Sequence, residues 1–600
     1  MEMRKRLTVL ALLLGALFPT QAFTLSEGRE YISLGGQWNY IIDPMDTGIY
    51  KYQMQLQRPT KRYFADRHFF RDKTRLIEYD FDKTPTLQVP GDWNSQSERL
   101  YLYEGSVWYR RTIDWQSVRG RRWFLYFGAV NYKCMVGLNN TILGTHKGGF
   151  TPFWFEVTDV LKEGENSLIL WVNNTRGADE VPTLNFDWWN YGGITRDVLL
   201  VSVPEVFIRD WRMTFDGSAI DVTVFLDGGS GSVTVEIPEL GLKKKACGGK
   251  DGIADVRFKA SPERWSPEHP RLYDIVIRSG SDAISDRIGF RTVRTEGEQL
   301  LLNDKPVFLR GVAVHDETVS QHPGRCRSEQ DVRALLEVAR DLGCNFLRLA
   351  HYPHSEQMVR IAEQMGFLLW EEIPCYWNIN WASGETYANA ENQLMEMIGR
   401  DYNRAATIIW SVANETPLTP ERLAFLGKLI AKTRETDPTR LVSAAIQKEK
   451  PDLYHPVIAD ELADLTDLVS FNEYIGWYDG KPADCDSVRW TVPAGKPVII
   501  SEFGGGALYG NHGSDTEMFT EEYLAQVYRK QLPMIMRIPG ISGMSPWCLK
   551  DFRSPKRPLT GIQDDFNRKG LVDEQGRRKQ AFFVMQDFYK TKTDFPRRTE

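Results

Sequence analysis

Beyond about residue 293, short apolar runs alternate with stretches whose apolar residues recur at helical spacing. Eight such runs stand at 307–314, 345–350, 367–370, 408–412, 441–445, 468–471, 497–500 and 544–549, with amphipathic patterns such as 330–342 and 356–365 between them. A short continuous apolar run reads as a strand buried on both faces. The amphipathic stretch after it reads as the helix that returns the chain over the sheet. Eight such units in about 300 residues point to a parallel (β/α)8 barrel. The rival, an open doubly wound sheet, is expected to carry a glycine-rich phosphate turn, and none is found.

The chain ahead of the barrel has a different period. From 23 to 203 short alternating strands, such as 123–127 and 167–172, are broken by Gly, Asn and Asp turns. That pattern predicts a β-sandwich of jelly-roll size. A second all-β stretch, 204–292, alternates cleanly at 220–224 and 233–237 and predicts a small immunoglobulin-like sandwich. Three domains suit 600 residues, too many for one ordinary core. The barrel then takes 293–600.

At the N-terminus Arg4, Lys5 and Arg6 precede an apolar run at 7–18, and Thr20-Gln21-Ala22 supplies small residues for cleavage. Residues 1–22 therefore read as a signal peptide, and the protein as exported, either periplasmic or secreted. No later stretch reaches the ~18 apolar residues of a membrane span, so no membrane insertion is expected. A net charge of −6 and a pI near 6.0 give no electrostatic reason to expect nucleic acid. Seven scattered cysteines form no CxxC and no zinc spacing, and read as mostly buried small hydrophobes.

A barrel of this kind carries its chemistry at the C-terminal ends of its strands. The run at 408–412 leads into Ala413-Asn414-Glu415, and the run at 497–500 leads into Ser501-Glu502, followed by Gly504 to Gly506. Two facing carboxylates suit glycoside cleavage: one, protonated, releases the leaving oxygen while the other, ionised, attacks the anomeric carbon. At a separation of roughly 5–5.5 Å the configuration is retained through a covalent intermediate. Glu371 and Glu372 are rivals, but successive strand side chains point to opposite sides, so at most one enters the barrel mouth. His315-Asp316-Glu317 matches no known metal-ligand spacing, and no metal or cofactor is expected.

These residues resemble glycoside hydrolase family 2, and within it the β-glucuronidases, over nearly the whole chain. The resemblance rests on Gly91-Asp92-Trp93-Asn94, residues 103–111 and 144–150, and Arg264-Trp265-Ser266-Pro267-Glu268. In the barrel it rests on residues 345–353, which include His351, and on Asn403-Arg404 through Trp410-Ser411 to Asn414-Glu415. Leu349 and Thr407 depart from the family pattern, but away from the glutamates. The resemblance implies Glu415 as acid/base and Glu502 as nucleophile, with His351 among the substrate-binding residues. Asn567-Arg568-Lys569 is similar to the Asn-x-Lys element that holds a sugar carboxylate. That role is physically sound, because an amide and an ammonium form charge-assisted hydrogen bonds to a uronate. By the same resemblance Asp187 reaches across a domain boundary to the sugar hydroxyls, and Asn414 donates to the 2-hydroxyl. Tyr474 hydrogen-bonds the nucleophile with Tyr478 nearby, and Trp547 forms a stacking floor.

The loop at 551–565 is longer than in the best-known relatives and carries Arg553, Lys556 and Arg557. These offer a further cation for the carboxylate or for a second acidic sugar, or mark a branch with other substrates. The expectation is a retaining exo-β-glucuronidase acting on a glucuronide or an acidic oligosaccharide. A β-galactosidase or β-galacturonidase of the same family is the alternative within the class, and a non-catalytic carbohydrate-binding protein the alternative outside it. Dimers and tetramers both occur in the resembling family, so a homo-oligomer fits.

Overall fold

The computed structural model describes residues 28–48, 70–72 and 74–592. The signal peptide read at 1–22 lies outside them. The first domain is a sandwich of antiparallel sheets. Six strands run in the order Thr86–Val89, Gly36–Asp43, Ser106–Trp115, Gly164–Asn173, Lys133–Leu138 and Thr141–Lys147, facing Glu30–Ser33, Val198–Pro204, Arg121–Phe127 and Phe153–Glu156. Alternate residues of both sheets, among them Trp38, Val107, Leu125, Val136, Leu168 and Leu200, meet in one buried core. The second domain packs a three-stranded sheet, Phe207–Phe215, Ala219–Asp227 and Ile253–Lys259, on a four-stranded one around Trp211, Val222, Val235 and Ile277.

The third domain is a closed barrel of eight parallel strands. They are β1 Leu309–Val314, β2 Phe346–Leu349, β3 Leu368–Glu372, β4 Thr407–Asn414, β5 Leu441–Ile446, β6 Val469–Asn472, β7 Val498–Glu502 and β8 Ile541–Met544. Closure is made by β8 against β1, with Leu309 opposite Gly543. The returning helices start and stop where local chemistry says they should. Ser328 and Asp331 form a capping box ahead of Glu329–Leu342, and Gly343, at φ 90°, ends that helix.

Two details differ from the even alternation read in the sequence. Between β5 and β6 the helix is a single turn, Leu462–Leu465, and between β6 and β7 there is only the 3-10 turn Pro482–Asp486. Prolines at 451, 456, 482 and 493 punctuate those connections and deny them long helices. The run at 544–549 is also not one strand. β8 ends at Met544, and the chain beyond it makes only scattered backbone bonds, Ser545 to Ile500 in β7, Trp547 to Phe503 just past β7 and Leu549 to Ala313 in β1.

The domains are fastened by buried polar contacts. Arg404 reaches Asp286 at 2.5 Å and Glu363 at 3.1 Å, and Asn403 accepts from the Met213 backbone at 2.8 Å. At the barrel mouth an aromatic cluster mixes Phe150, Phe186 and Trp188 of the first domain with Tyr352, Tyr376, Tyr474 and Trp547 of the barrel. The first sandwich thereby becomes one wall of the barrel's opening.

Candidate active site

The mouth is organised around Arg348, on β2. Its guanidinium is fully buried, a position that costs several kcal/mol unless the charge is paired. It donates to both oxygens of Glu372, at 3.0 and 3.1 Å, to Glu502 Oε1 at 2.7 Å and to Asn414 Oδ1 at 2.8 Å. One side chain from β2 thus ties together the ends of β3, β4 and β7. Burial alone would raise the Glu372 carboxyl, but Arg348 and His351 outweigh it and hold the group down to about 2. Glu371, its neighbour, points out of the barrel to Thr407 at 2.7 Å and to Arg400 at 3.5 Å, where burial and Asp401 push it well up. Of the two rivals, Glu372 is the one inside.

Glu502 lies at the end of β7, 5% exposed. Tyr474 donates to Oε2 at 2.7 Å, Arg348 holds Oε1, and His351 Nε2 stands 3.6 Å from Oε1. Burial pushes this carboxyl above its ordinary range. Arg348, His351 and the Tyr474 hydroxyl pull against burial, while the nearby charge of Glu415 adds to it. Gly504, at φ 123°, turns the following loop, and a side chain there would collide with the Tyr528 hydroxyl.

Glu415 follows β4 with φ at 50°, in the left-handed region where a non-glycine residue is strained. Its backbone N–H donates to Ala445 at 2.9 Å, and Trp377 Nε1 donates to its Oε2 at 3.0 Å. Trp377 also sits at positive φ, 55°. The two glutamates share surroundings: Tyr376 and Tyr474 each lie within the electrostatic reach of both. Glu415 is half-buried and Glu502 buried, so the pocket gives the two carboxyls different exposure. Beside Glu415, Asn414 presents a buried amide Nδ2 with no partner among the described residues, its Oδ1 being taken by Arg348 and, at 3.3 Å, by Asn472. An unsatisfied buried donor is costly and points to a missing acceptor.

The remaining candidates surround this pair. His351 bonds Glu372 at 2.7 Å and stacks on Trp547 with ring centroids 4.6 Å apart. Asp187 crosses from the first domain and accepts from Ser554 at 2.5 Å, from Asn567 at 3.3 Å and from both Nε and Nη2 of Arg557. Lys569 donates to the Tyr478 hydroxyl at 2.7 Å and lies over the Tyr474 and Tyr478 rings, while its backbone N–H bonds Asn567 Oδ1 at 3.2 Å. Among the described residues no carboxylate pairs with the Lys569 ammonium. Tyr478 is 57% exposed, at the outer lip.

Arg553 meets aromatic rings: its guanidinium is buried over Tyr101, at 4.7 Å, and Trp189, at 5.5 Å, on the domain boundary. From the same loop Arg557 pairs with Asp187. Three residues of the site carried little or no functional weight in the sequence: Arg348, Trp377 and Arg557. Arg348 had a signal, a charge inside an apolar run; Arg557 was one of three loop cations that nothing local could sort; Trp377 lies on irregular backbone with no signal. The side chains of His315, Asp316 and Glu317 diverge, to Tyr352 at 3.1 Å, to Arg196 at 3.7 Å and to Tyr191 at 3.1 Å.

Family models for glycosyl hydrolases family 2 match the chain from 31 to 592: the sugar binding domain at 31–204, a second module at 206–291 and the TIM barrel domain at 293–592. A β-glucuronidase from Paenibacillus borealis is 25% identical, the match covering 97% of this chain and 99% of that one. A Formosa agariphila relative is 27% identical over 84% of this chain, which spans 66% of its length. The crystal structure of a β-galacturonidase from Eisenbergiella tayi superposes with a TM-score of 0.79 at 25% identity, covering 97% of this chain and 100% of the other. With two carboxylates brought to one barrel mouth and three family modules in order, the chain belongs to glycosyl hydrolases family 2 and is a glycoside hydrolase.

Proposed function

We propose that the protein is a retaining, exo-acting β-glucuronidase that removes a terminal β-linked glucuronic acid. Lys569 and Asn567 orient the sugar by its carboxylate, Asp187 meets ring hydroxyls, and the free Asn414 amide donates to the 2-hydroxyl. Glu415 passes its proton to the glycosidic oxygen as the bond from that oxygen to the anomeric carbon breaks. Glu502 attacks the same carbon and forms the glycosyl ester. Glu415 then takes a proton from water, whose oxygen displaces Glu502 and frees the sugar.

One observation carries the choice of substrate. Lys569 is 5% exposed, and among the described residues its ammonium donates to a phenol hydroxyl, a neutral neighbour where a carboxylate would pair. A galactoside would leave that charge uncompensated. The likeness to a β-galacturonidase favours a second reading, since galacturonate carries the same carboxylate and differs at C4. Nitrophenyl β-glucuronide, β-galacturonide and β-galactoside, compared side by side, separate the three. Lys569→Ala is expected to lower kcat/KM on the preferred uronide by about 10- to 100-fold, the worth of one charge-assisted hydrogen bond. Unchanged discrimination between uronide and galactoside removes the carboxylate role. Export to the periplasm or beyond is proposed on the leader pattern at 1–22 alone.

A further inference from the structure

The loop from Asp551 to Asp565 brings three cations to the rim, and two are accounted for: Arg553 packs on aromatic rings and Arg557 neutralises Asp187. Lys556 is different. It is exposed, it donates to the neutral side-chain oxygen of Asn185, and its ammonium lies 4.9 Å from the centroid of the Trp377 ring. Among the described residues it forms no ion pair. The acidic group that acts on it, Asp187, is already engaged by Ser554, Arg557 and Asn567.

Trp377 connects this cation to the chemistry. The indole that carries the ammonium on its face also donates its Nε1–H to Glu415. Glu415 is the group that protonates the departing oxygen, so the leaving group emerges beside Trp377, within one indole's width of Lys556. Asn567 and Lys569, whose side chains meet Asp187 and Tyr478, are the groups assigned to the uronate itself. The rim therefore offers one cation to the sugar being released and another to whatever it is released from.

We propose that Lys556, set on Trp377 and Asn185, forms an acceptor subsite for a leaving group bearing an anionic oxygen group. That group is a sulfate ester or a carboxylate on the unit joined directly to the uronate. The inference rests on the proposed β-glucuronidase reading and narrows it from glucuronides at large to anionic acceptors. The flexible four-carbon stem of lysine lets the ammonium leave the indole face and follow the anion, as a rigid guanidinium fork would not.

The test uses three β-glucuronides of one phenol that differ at a single ring position, bearing a sulfate ester, a carboxylate or the neutral methyl ester. For the wild-type enzyme kcat/KM on at least one charged substrate is expected to exceed that on the ester by about tenfold at low salt. The ratio should shrink as ionic strength rises. Lys556→Gln is expected to bring it close to one, and Lys556→Glu to invert it. A preference confined to one anion names the natural substituent. Identical ratios in all three enzymes overturn the subsite. If the wild type turns over none of the three, the uronide reading itself fails, and the subsite with it.

Discussion

Replacing Tyr474 with Phe removes one hydroxyl and keeps the ring, with its 5.2 Å packing on Tyr478. What Glu502 loses is the 2.7 Å bond to Oε2, made where both side chains are buried. A hydrogen bond to a charged group contributes about 1.5–3 kcal/mol. That stabilisation belongs to the carboxylate and is largely absent from the acid, so at about 1.4 kcal/mol per unit the pKa rises by roughly one to two. The direction follows from the chemistry: Glu502 attacks only when ionised, so the acid limb of kcat/KM reports its deprotonation in the free enzyme. Burial already holds the group above its ordinary range. The limb should therefore move further toward neutral pH in Tyr474→Phe. The assay is kcat/KM on nitrophenyl β-glucuronide across the acid and neutral range for wild type, Tyr474→Phe and Tyr478→Phe. The Tyr478 hydroxyl accepts from Lys569, so its loss should raise KM and leave the limb in place. A limb that stays put in Tyr474→Phe, or moves down, would refute the reasoning.

Glu502→Gln should abolish turnover of every substrate, whereas Glu415→Gln should cripple glycosides with poor leaving groups far more than activated aryl ones. Near-native turnover by Glu502→Gln removes the nucleophile assignment. Glu473 is fully buried beside the site and accepts from the Ile475 backbone at 3.0 Å, and its other oxygen has no partner among the described residues. Burial lifts it to about 8. A raised folded pKa gives stability that is fully present below the unfolded value, about 4.3, and is lost as pH rises through 8. Glu473→Gln keeps the acceptor and discards the titration. Its stability relative to wild type should grow between pH 6 and pH 9, with a limit on the order of 5 kcal/mol over the full span. Unfolding curves whose separation does not change with pH would contradict this.

Several features were readable from local pattern alone. The period of the apolar runs specified the barrel, because a strand buried on both faces and an amphipathic helix leave different signatures over a few residues. The amphipathic stretch at 330–342 marked a helix for an equally local reason, and the structure adds its caps, Ser328 with Asp331 and Gly343. Asn414, Glu415 and Glu502 stood out because strand ends face the chemistry in this architecture. The irregular connections after β5 and β6 were announced by their prolines, once those are given weight against an expected alternation.

Local pattern carries the period of a strand but not its phase. Alternation required Glu371 and Glu372 to face opposite ways, yet only barrel closure set Glu372 against Arg348. The partners of Arg348 lie 24, 66 and 154 residues away in sequence, at Glu372, Asn414 and Glu502. The loop after β8 shows the same division. It held three cations with no periodicity to sort them, and packing of the first domain decided that Arg553 meets rings and Arg557 meets Asp187. Sequence alone determined the architecture and the strand ends at which Glu415 and Glu502 stand. The tertiary structure decided which charges neutralise one another, because those pairings depend on distances that exist only after the barrel closes and the sandwich docks on its mouth.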